Sequence, residues 1–304
     1  MSGATRARTR GTPERVRRAI NGDVSIAYEL RGERGPWMVL VHGLGYGRLG
    51  WGSFADLLAT RHRLVLIDNR GIGESDRPAG PYRVEDLATD VLAVVDHLAI
   101  DRCDLVGASL GGMVALQLAG GEPDLVRRLV LIAATPGDPQ GVPLPERTTA
   151  LLSRDRQRTL PPARRLIEGA LAPETVAGRP ELVDRLLALR EAQPQEAEAW
   201  RAQAAASASF SLRVPLAQVE APTLAVAGLA DTVIDPMNAM RLAFAMPRAR
   251  ALYLSPAGHL CFWEHPELVA SATSEHCAEE WTGGGMQVTT GAVGAVMPVY
   301  GACD

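Results

Sequence analysis

The feature that most limits how this chain can fold is a set of short apolar runs with no polar alternation. They lie at 37–42 (WMVLVH), 63–68 (RLVLID), 103–108 (CDLVGA), 129–134 (LVLIAA) and 223–228 (TLAVAG), with two further strand-like runs at 23–29 (DVSIAYE) and 250–254. A strand that is apolar on both parities has both faces covered, the situation in a parallel sheet flanked by helices. Helical patterns at 52–60, 85–98, 110–119, 237–246 and 266–280 fall between the runs. Strand and helix alternating in this way predict an α/β fold with right-handed crossovers. Residues 138–216 break the rhythm: they hold no convincing strand but several Ala/Leu/Arg/Glu helices, two of them opened by proline in PPARRLIEGAL and RPELVDRLLALREAQ. A helical insertion between two strands accounts for them.

A chain of 304 residues, 47% hydrophobic and 22% charged, is long enough for one large α/β domain with such an insertion. The expected organisation is a disordered basic arm at 1–20, a core at 21–137 and 217–281, a helical lid at 138–216 and a poorly ordered Gly-rich tail at 282–304. The apolar residues of that tail would alternatively let it add to a sheet edge. The arm carries six arginines but no apolar run behind them, unlike a signal peptide. No segment has the length and apolarity of a membrane span. A net charge of −4 argues against nucleic-acid and membrane-surface partners, and a cytoplasmic location is expected. Cys103, Cys261, Cys277 and Cys303 are far apart, lack zinc-site spacing and read as reduced thiols, so no metal is expected. All 31 basic residues are arginine, which excludes Schiff-base chemistry on lysine and the lysine of a phosphate-binding loop.

Gly107-Ala108-Ser109-Leu110-Gly111 is a G-x-S-x-G pattern placed where a buried strand ends and a helix begins. In that context a serine on a strained turn has its Oγ lifted clear of the sheet, and glycine two positions before and after removes the collisions. The helix N-terminus that follows favours negative charge, so the Leu110 N–H can face an oxyanion. A serine nucleophile needs a base. His259, following Gly258 in the loop after the last strand-like run, is the best placed of six histidines. His97 and His276 lie within helical patterns and read as surface residues, His62 begins a strand, and His265 starts the last helix. The base in turn needs a carboxylate. Asp231, three residues beyond Gly228 at the end of a strand, is preferred, with Asp235 and Asp138 as alternatives. The loop after WMVLVH supplies a second backbone donor at Leu44, with Gly43 and Gly45 allowing close approach to a substrate and His42 organising the loop. Asp68, Arg70 and Gly71 read as structural, Arg70 being available to pair with a carboxylate.

VLVHGLG (39–45), DNRGIGES (68–75), GASLGG (107–112), GLAD (228–231) and GHLCFWEHPE (258–267), in this order, resemble the α/β-hydrolases with a single compact lid. GPYRVEDLATDVLAVVDHLAI, leading into the serine turn, is similar to 3-oxoadipate enol-lactonases and related small esterases, many of which differ at the position of Leu110. The resemblance implies a mostly parallel eight-stranded sheet flanked by helices, a helical lid after the sixth strand, no cofactor, and a Ser109/Asp231/His259 triad. Dehalogenases and epoxide hydrolases of the same fold use an aspartate nucleophile, against which Ser109 argues.

Leucines of the lid are expected to roof an apolar cleft, with Gly43, Phe262 and Trp263 as substrate-binding residues and Trp200, Phe210 and Cys261 as further lining. Lid arginines, among them Arg154, Arg156, Arg158, Arg164 and Arg165, read as a solvated face. The expected function is hydrolysis of a small or medium carboxylic ester or lactone. The alternatives are a tailoring lyase or cyclase, a carbon–carbon hydrolase or a perhydrolase using the same triad, and a ligand sensor that keeps the fold.

Overall fold

The computed structural model describes residues 16–153, 160–278, 287–292 and 295–300. Residues 1–15 of the basic arm, Arg154, Arg156 and Arg158 of the insertion, and 279–286, 293–294 and 301–304 near the C-terminus lie outside the described residues. The first half of the core runs β1 (Arg17–Asn21), β2 (Val24–Arg31), β3 (Trp37–Val41), α1 (Gly52–Leu58), β4 (Arg63–Ile67), α2 (Val84–His97), β5 (Cys103–Ala108), α3 (Leu110–Gly121) and β6 (Val126–Ile132). The insertion then supplies α4 (Glu146–Leu152), α5 (Ala163–Glu168), α6 (Pro173–Gly178), α7 (Pro180–Ala192) and α8 (Ala197–Ser209). The chain returns to the sheet through β7 (Thr223–Gly228), α9 (Met237–Ala245), β8 (Ala249–Ser255), α10 (Cys261–Glu264), α11 (Pro266–Ala278), β9 (Gln287–Ala292) and β10 (Ala295–Tyr300).

The strands form one sheet in the order β1-β2-β4-β3-β5-β6-β7-β8-β9-β10. Pairing is parallel from β4 across to β9 and antiparallel at both ends, in β1·β2, β2·β4 and β9·β10. The doubled apolar parity has its cause here. Leu105, Leu129 and Leu131 pack on the face covered by α2, α3 and α9. Their neighbours Val106, Val130 and Ile132 pack on the other face with Phe54, Leu58 and Val269 from α1 and α11. The insertion enters and leaves by one gate, a bridge between Gly137 and Ser211 beside the Leu212 N–H bonded to the Pro136 carbonyl at 2.9 Å.

Three expectations are corrected. Residues 17–20 are not part of an arm: they form β1, an edge strand joined to β2 by a two-residue turn at Gly22 (φ +58°) and Asp23. Only Ala19 of β1 is fully buried, so the strand has no apolar alternation to betray it, although Asn21-Gly22 is a hairpin signal. The tail is structured over 287–292 and 295–300, which extend the expected eight-stranded sheet to ten strands. Threonine and valine favour strands, and Pro298 is tolerated because β10 is an edge. His276 is buried, not on the surface: its Nε2 donates to the Pro222 carbonyl at 3.0 Å, and burial drives its pKa down to about 3.

The His276 shift has a measurable sign. An unfolded histidine takes up a proton near 6.5, whereas the folded one stays neutral down to about 3, so between these values the unfolded state binds more protons and loses nothing by it. Stability contributed by neutral His276 is therefore lost as the pH falls below about 6.5. In His276→Asn, which keeps a donor for Pro222, the unfolding free energy is expected to fall less steeply over this acid range than in the parent. Parallel urea titrations from pH 7.5 to 4.5 read the difference. A constant gap between the two curves would contradict it.

Candidate active site

β3 and β5 are neighbours, but the chain leaves β3 towards β4 on one side and later lays β5 on the other. Reversal of strand order opens a crevice at the C-terminal ends of these strands. Two loops meet there, the one after β3 and the turn after β5. In that turn Ser109 has φ 54° and ψ −119°, a conformation that costs a non-glycine residue free energy and is held by its surroundings. Its N–H donates to the Ile132 carbonyl at 2.9 Å, and its carbonyl accepts from Met113 at 3.1 Å. The flanking glycines are steric necessities. A Cβ at Gly107 would stand 2.2 Å from the Gly111 carbonyl oxygen, and one at Gly111 would stand 1.8 Å from the Val41 oxygen. At Gly112 it would meet the Ala134 Cβ at 2.5 Å. The start of α3 is thereby pressed onto β3 and β5, with Ser109 at the apex and Leu110 as the first helical residue.

The β3 loop is organised by His42. Its Nδ1 accepts the Gly43 N–H at 2.7 Å and its Nε2 donates to the Gly50 carbonyl at 3.0 Å, which fixes the neutral tautomer. Burial lowers its pKa to about 3, so it is no base at ordinary pH. Gly43 faces the serine, where a Cβ would lie 2.9 Å from Ser109 Cβ and 3.5 Å from its Oγ. The neighbouring 68–75 loop is structural. Buried Asp68 accepts the N–H groups of Arg48 (2.7 Å) and Glu74 (3.0 Å) and pairs with the Arg48 guanidinium. Arg70 grips Asp90 with two bonds, at 2.6 and 2.7 Å.

At the ends of β7 and β8 the chain brings an acid to a base. A Cβ at Gly228 would meet the Gly258 and Ala257 oxygens at 2.2 and 2.4 Å, so glycine lets the two strand-end loops touch. Asp231 turns back on its own loop, Oδ1 accepting the N–H groups of Val233 (2.7 Å) and Ile234 (3.0 Å). This leaves Oδ2 for His259 Nδ1, at 2.8 Å, with both residues buried. Of the alternatives, Asp235 spends its carboxylate on the N–H of Met237 at the start of α9. A carboxylate on Nδ1 holds the proton there and leaves Nε2 free to accept one.

Ser109 and His259 line one cavity, together with Gly43, Leu44, Phe262, Leu260, Met113 and residues of the insertion that include Leu151, Leu166, Ala170, Arg190, Trp200 and Ser207. Its volume is about 120 Å³. Trp263, expected on this wall, is not there. Its indole donates to the Gly50 carbonyl at 2.7 Å and its ring fills the space a Cβ on Gly52 would need, 2.3 Å away, so it supports the β3 loop from behind. Phe210 and Cys261 are buried outside the cavity lining. His62 is buried and His97 exposed, and His265 donates to the Pro256 carbonyl at 2.8 Å, all away from the serine.

Sequence reasoning passed over Tyr46, Arg190 and Glu264. Arg190, at the end of α7, is the one permanently charged residue on the cavity wall among the described residues. Its guanidinium carbon lies 4.6 Å from the centroid of the Tyr46 ring, and Gly45 (φ +84°) leaves it room: a Cβ there would stand 2.3 Å from an Arg190 Nη. Glu264 is 3% exposed and bonds to the backbone beside His259. Its fixed offset from His259 within GHLCFWEHPE was the available signal.

Comparison with known proteins agrees with this architecture. The chain is 30% identical over 260 residues to a 2-hydroxy-6-oxononadienedioate/2-hydroxy-6-oxononatrienedioate hydrolase of Paraburkholderia xenovorans, covering 81% of this chain and 88% of that protein. It is likewise 30% identical to a pimeloyl-(acyl-carrier protein) methyl ester esterase of Aeromonas salmonicida, over 80% of this chain and 96% of the esterase. Among solved structures, the enol-lactonase of Burkholderia xenovorans superposes with a TM-score of 0.76 at 24% identity, covering 86% of this chain and all of that one. The sequence pattern of the alpha/beta hydrolase fold matches residues 36–266, and the chain belongs to that family of enzymes.

Proposed function

We propose that the protein is a serine hydrolase that cleaves a small carboxylic ester or lactone through an acyl-enzyme. Ser109 Oγ attacks the carbonyl carbon while His259 Nε2 takes its proton. The tetrahedral oxyanion is received by the N–H groups of Leu44 and Leu110, and His259 passes the proton to the departing alcohol oxygen. Water, deprotonated in turn by His259, then releases the acid and restores the serine. Asp231 keeps Nδ1 protonated and stabilises the imidazolium. The observation that carries this reading is the Asp231–His259 bond opening into the same cavity as Ser109, which is strained onto a helix N-terminus.

Cavity size and chemistry narrow the substrate. At about 10–15 Å³ of such space per water, the volume suits about ten water-sized groups, a small or medium ligand. The walls are mainly aliphatic and aromatic. Arg190 stands where the cavity adjoins a surface groove lined also by Gly45, Pro161 and Gln193. The Arg190 guanidinium lies against the Tyr46 ring on the wall of an otherwise apolar cavity, and a carboxylate on the substrate would pair with its charge. The substrate on this reading is an ester or lactone whose acyl part ends in a carboxylate.

Incubation with a fluorophosphonate tests the chemistry. Ser109 Oγ bonds to phosphorus as fluoride leaves, and mass spectrometry is expected to find one adduct, on Ser109. A panel of p-nitrophenyl esters, lactones, monomethyl dicarboxylates and ketone-flanked carbon–carbon substrates then separates the reactions. An unlabelled serine would favour a sensor, and labelling without ester turnover would favour the carbon–carbon or lyase chemistry. For Arg190→Gln, kcat/KM on a monomethyl dicarboxylate is expected to fall about ten- to hundred-fold, as befits a lost charge-assisted hydrogen bond. A neutral ester of equal length should be nearly unaffected. Equal losses on both would remove the carboxylate from the reading.

A further inference from the structure

Glu264 lies on α10, five residues beyond His259, and its buried carboxylate serves two backbones at once. Oε2 accepts the Gly258 N–H at 2.6 Å, and Oε1 accepts the Ala172 N–H at 2.9 Å. Gly258 directly precedes His259, whereas Ala172 belongs to the insertion, between α5 and α6. The same two segments are stitched again by the Leu260 N–H on the Ala170 carbonyl at 3.0 Å, and Arg179, between α6 and α7, donates to the Glu264 carbonyl at 2.8 Å. They are in close contact: a Cβ on Gly258 would stand 2.6 Å from the Leu171 carbonyl carbon and 2.8 Å from the Ala172 nitrogen. Ala170 and Leu260 both line the cavity. One carboxylate thus fastens the loop that carries His259 to the segment that supplies Ala170 to the cavity wall.

We propose that Glu264 is a positioning residue that holds His259 over Ser109 by anchoring the Gly258 N–H to the α5–α6 connection of the insertion. The proposal rests on the serine-hydrolase reading. Its physical basis is that a carboxylate presents only acceptors, so both N–H donors are satisfied, whereas an amide in the same place turns an NH2 towards one of them. A buried donor facing a donor is unsatisfied and pushes its segment away. Movement of Gly258 shifts the imidazole directly, and misplacement of a catalytic group by about 1 Å can cost about a hundred-fold in rate.

The test is Glu264→Gln in the full chain, with kcat and KM measured on the best ester and the second-order rate of fluorophosphonate labelling measured in parallel. Both kcat and the labelling rate are expected to fall about ten- to hundred-fold per folded molecule, with KM nearly unchanged. Glu264→Asp keeps the charge but is one methylene too short to span both donors, and the same pattern is expected. Unchanged kcat and labelling rate in either folded variant, even with a lower melting temperature, would reduce Glu264 to packing and overturn the proposal. A loss confined to KM would also overturn it, by assigning the residue to the ligand wall. Hydrogen exchange on the parent gives a readout independent of variant folding: the Gly258 and Ala172 amides should be similarly protected, and fast exchange at either would refute the bridge. Failure of the parent to label at Ser109 would instead strike the hydrolase reading, so the two failures are distinguishable.

Discussion

Ser109→Ala is expected to lower kcat on the best ester by at least about 10⁴-fold and to abolish fluorophosphonate labelling, with the protein still folded. The substitution removes one oxygen and little else. Alanine keeps the Cβ that already lies against Gly43, and the N–H of residue 109 can still donate to the Ile132 carbonyl. The strain at φ 54° is borne by alanine as by serine, because the turn is enforced by the contacts of Gly107, Gly111 and Gly112 and not by the hydroxyl. On the proposed reading the donors of Leu44 and Leu110 remain, so any residual turnover measures binding and oxyanion stabilisation alone. Ser207→Ala supplies the control, since Ser207 lines the same cavity from α8. It should label at the parental rate. Parental activity in Ser109→Ala would leave the whole assignment without its nucleophile, and a parental melting temperature shows that the loss is chemical.

The reach of the sequence follows the range of the forces involved. Strands covered on both faces announced themselves because burial acts on consecutive residues of both parities, on all of β5 and β7 and on most of β3 and β6. The turn at Ser109 was equally visible, since its glycines answer to atoms a few residues away or on the adjacent strand. β1 escaped notice because Arg17, Arg18 and Ile20 are solvent-facing or partly so, and its pairing with β2 is made by backbone groups that no side-chain pattern records. The strands at 287–292 and 295–300 were hidden by the glycines before, within and between them, at 283–285, 291 and 294. Trp263 was misplaced for a different reason: aromatic residues beside a candidate base suggest a pocket wall, yet which side of the loop each ring takes is decided by space at Gly52 and by the Gly50 carbonyl, more than two hundred residues earlier. Arg190 and Glu264 belong to the same class. Arg190 looks like one more solvated arginine until α7 is laid across Gly45 and Tyr46. Glu264 looks like a surface acid until the insertion returns Ala172 to it.

The same contrast between local and long-range information makes Asp231 the sharper test of the acid–base pair, because Asp231, Asp235 and Asp138 look alike in one dimension but only Asp231 has one oxygen on two backbone N–H groups and the other on His259. Asp231→Asn is expected to reduce kcat by about 10⁴-fold while changing stability little. An asparagine at 231 has one acceptor and one donor to distribute. If its oxygen keeps the N–H groups of Val233 and Ile234, its NH2 faces His259 Nδ1 and obliges that nitrogen to accept, which places the imidazole proton on Nε2. A protonated Nε2 on a neutral ring cannot take the serine proton. If the amide flips, its NH2 opposes two backbone donors, which costs more than the bond it would gain, so the wrong tautomer is the favoured outcome. Asp235→Asn, which disturbs only the N–H of Met237 at the start of α9, should retain nearly full turnover. Steady-state rates for the two variants, with fluorophosphonate labelling slowed in step with kcat for Asp231→Asn alone, check the argument. A fully active Asp231→Asn enzyme would mean that His259 draws its orientation from elsewhere and would break the link between the observed 2.8 Å bond and the chemistry assigned to it.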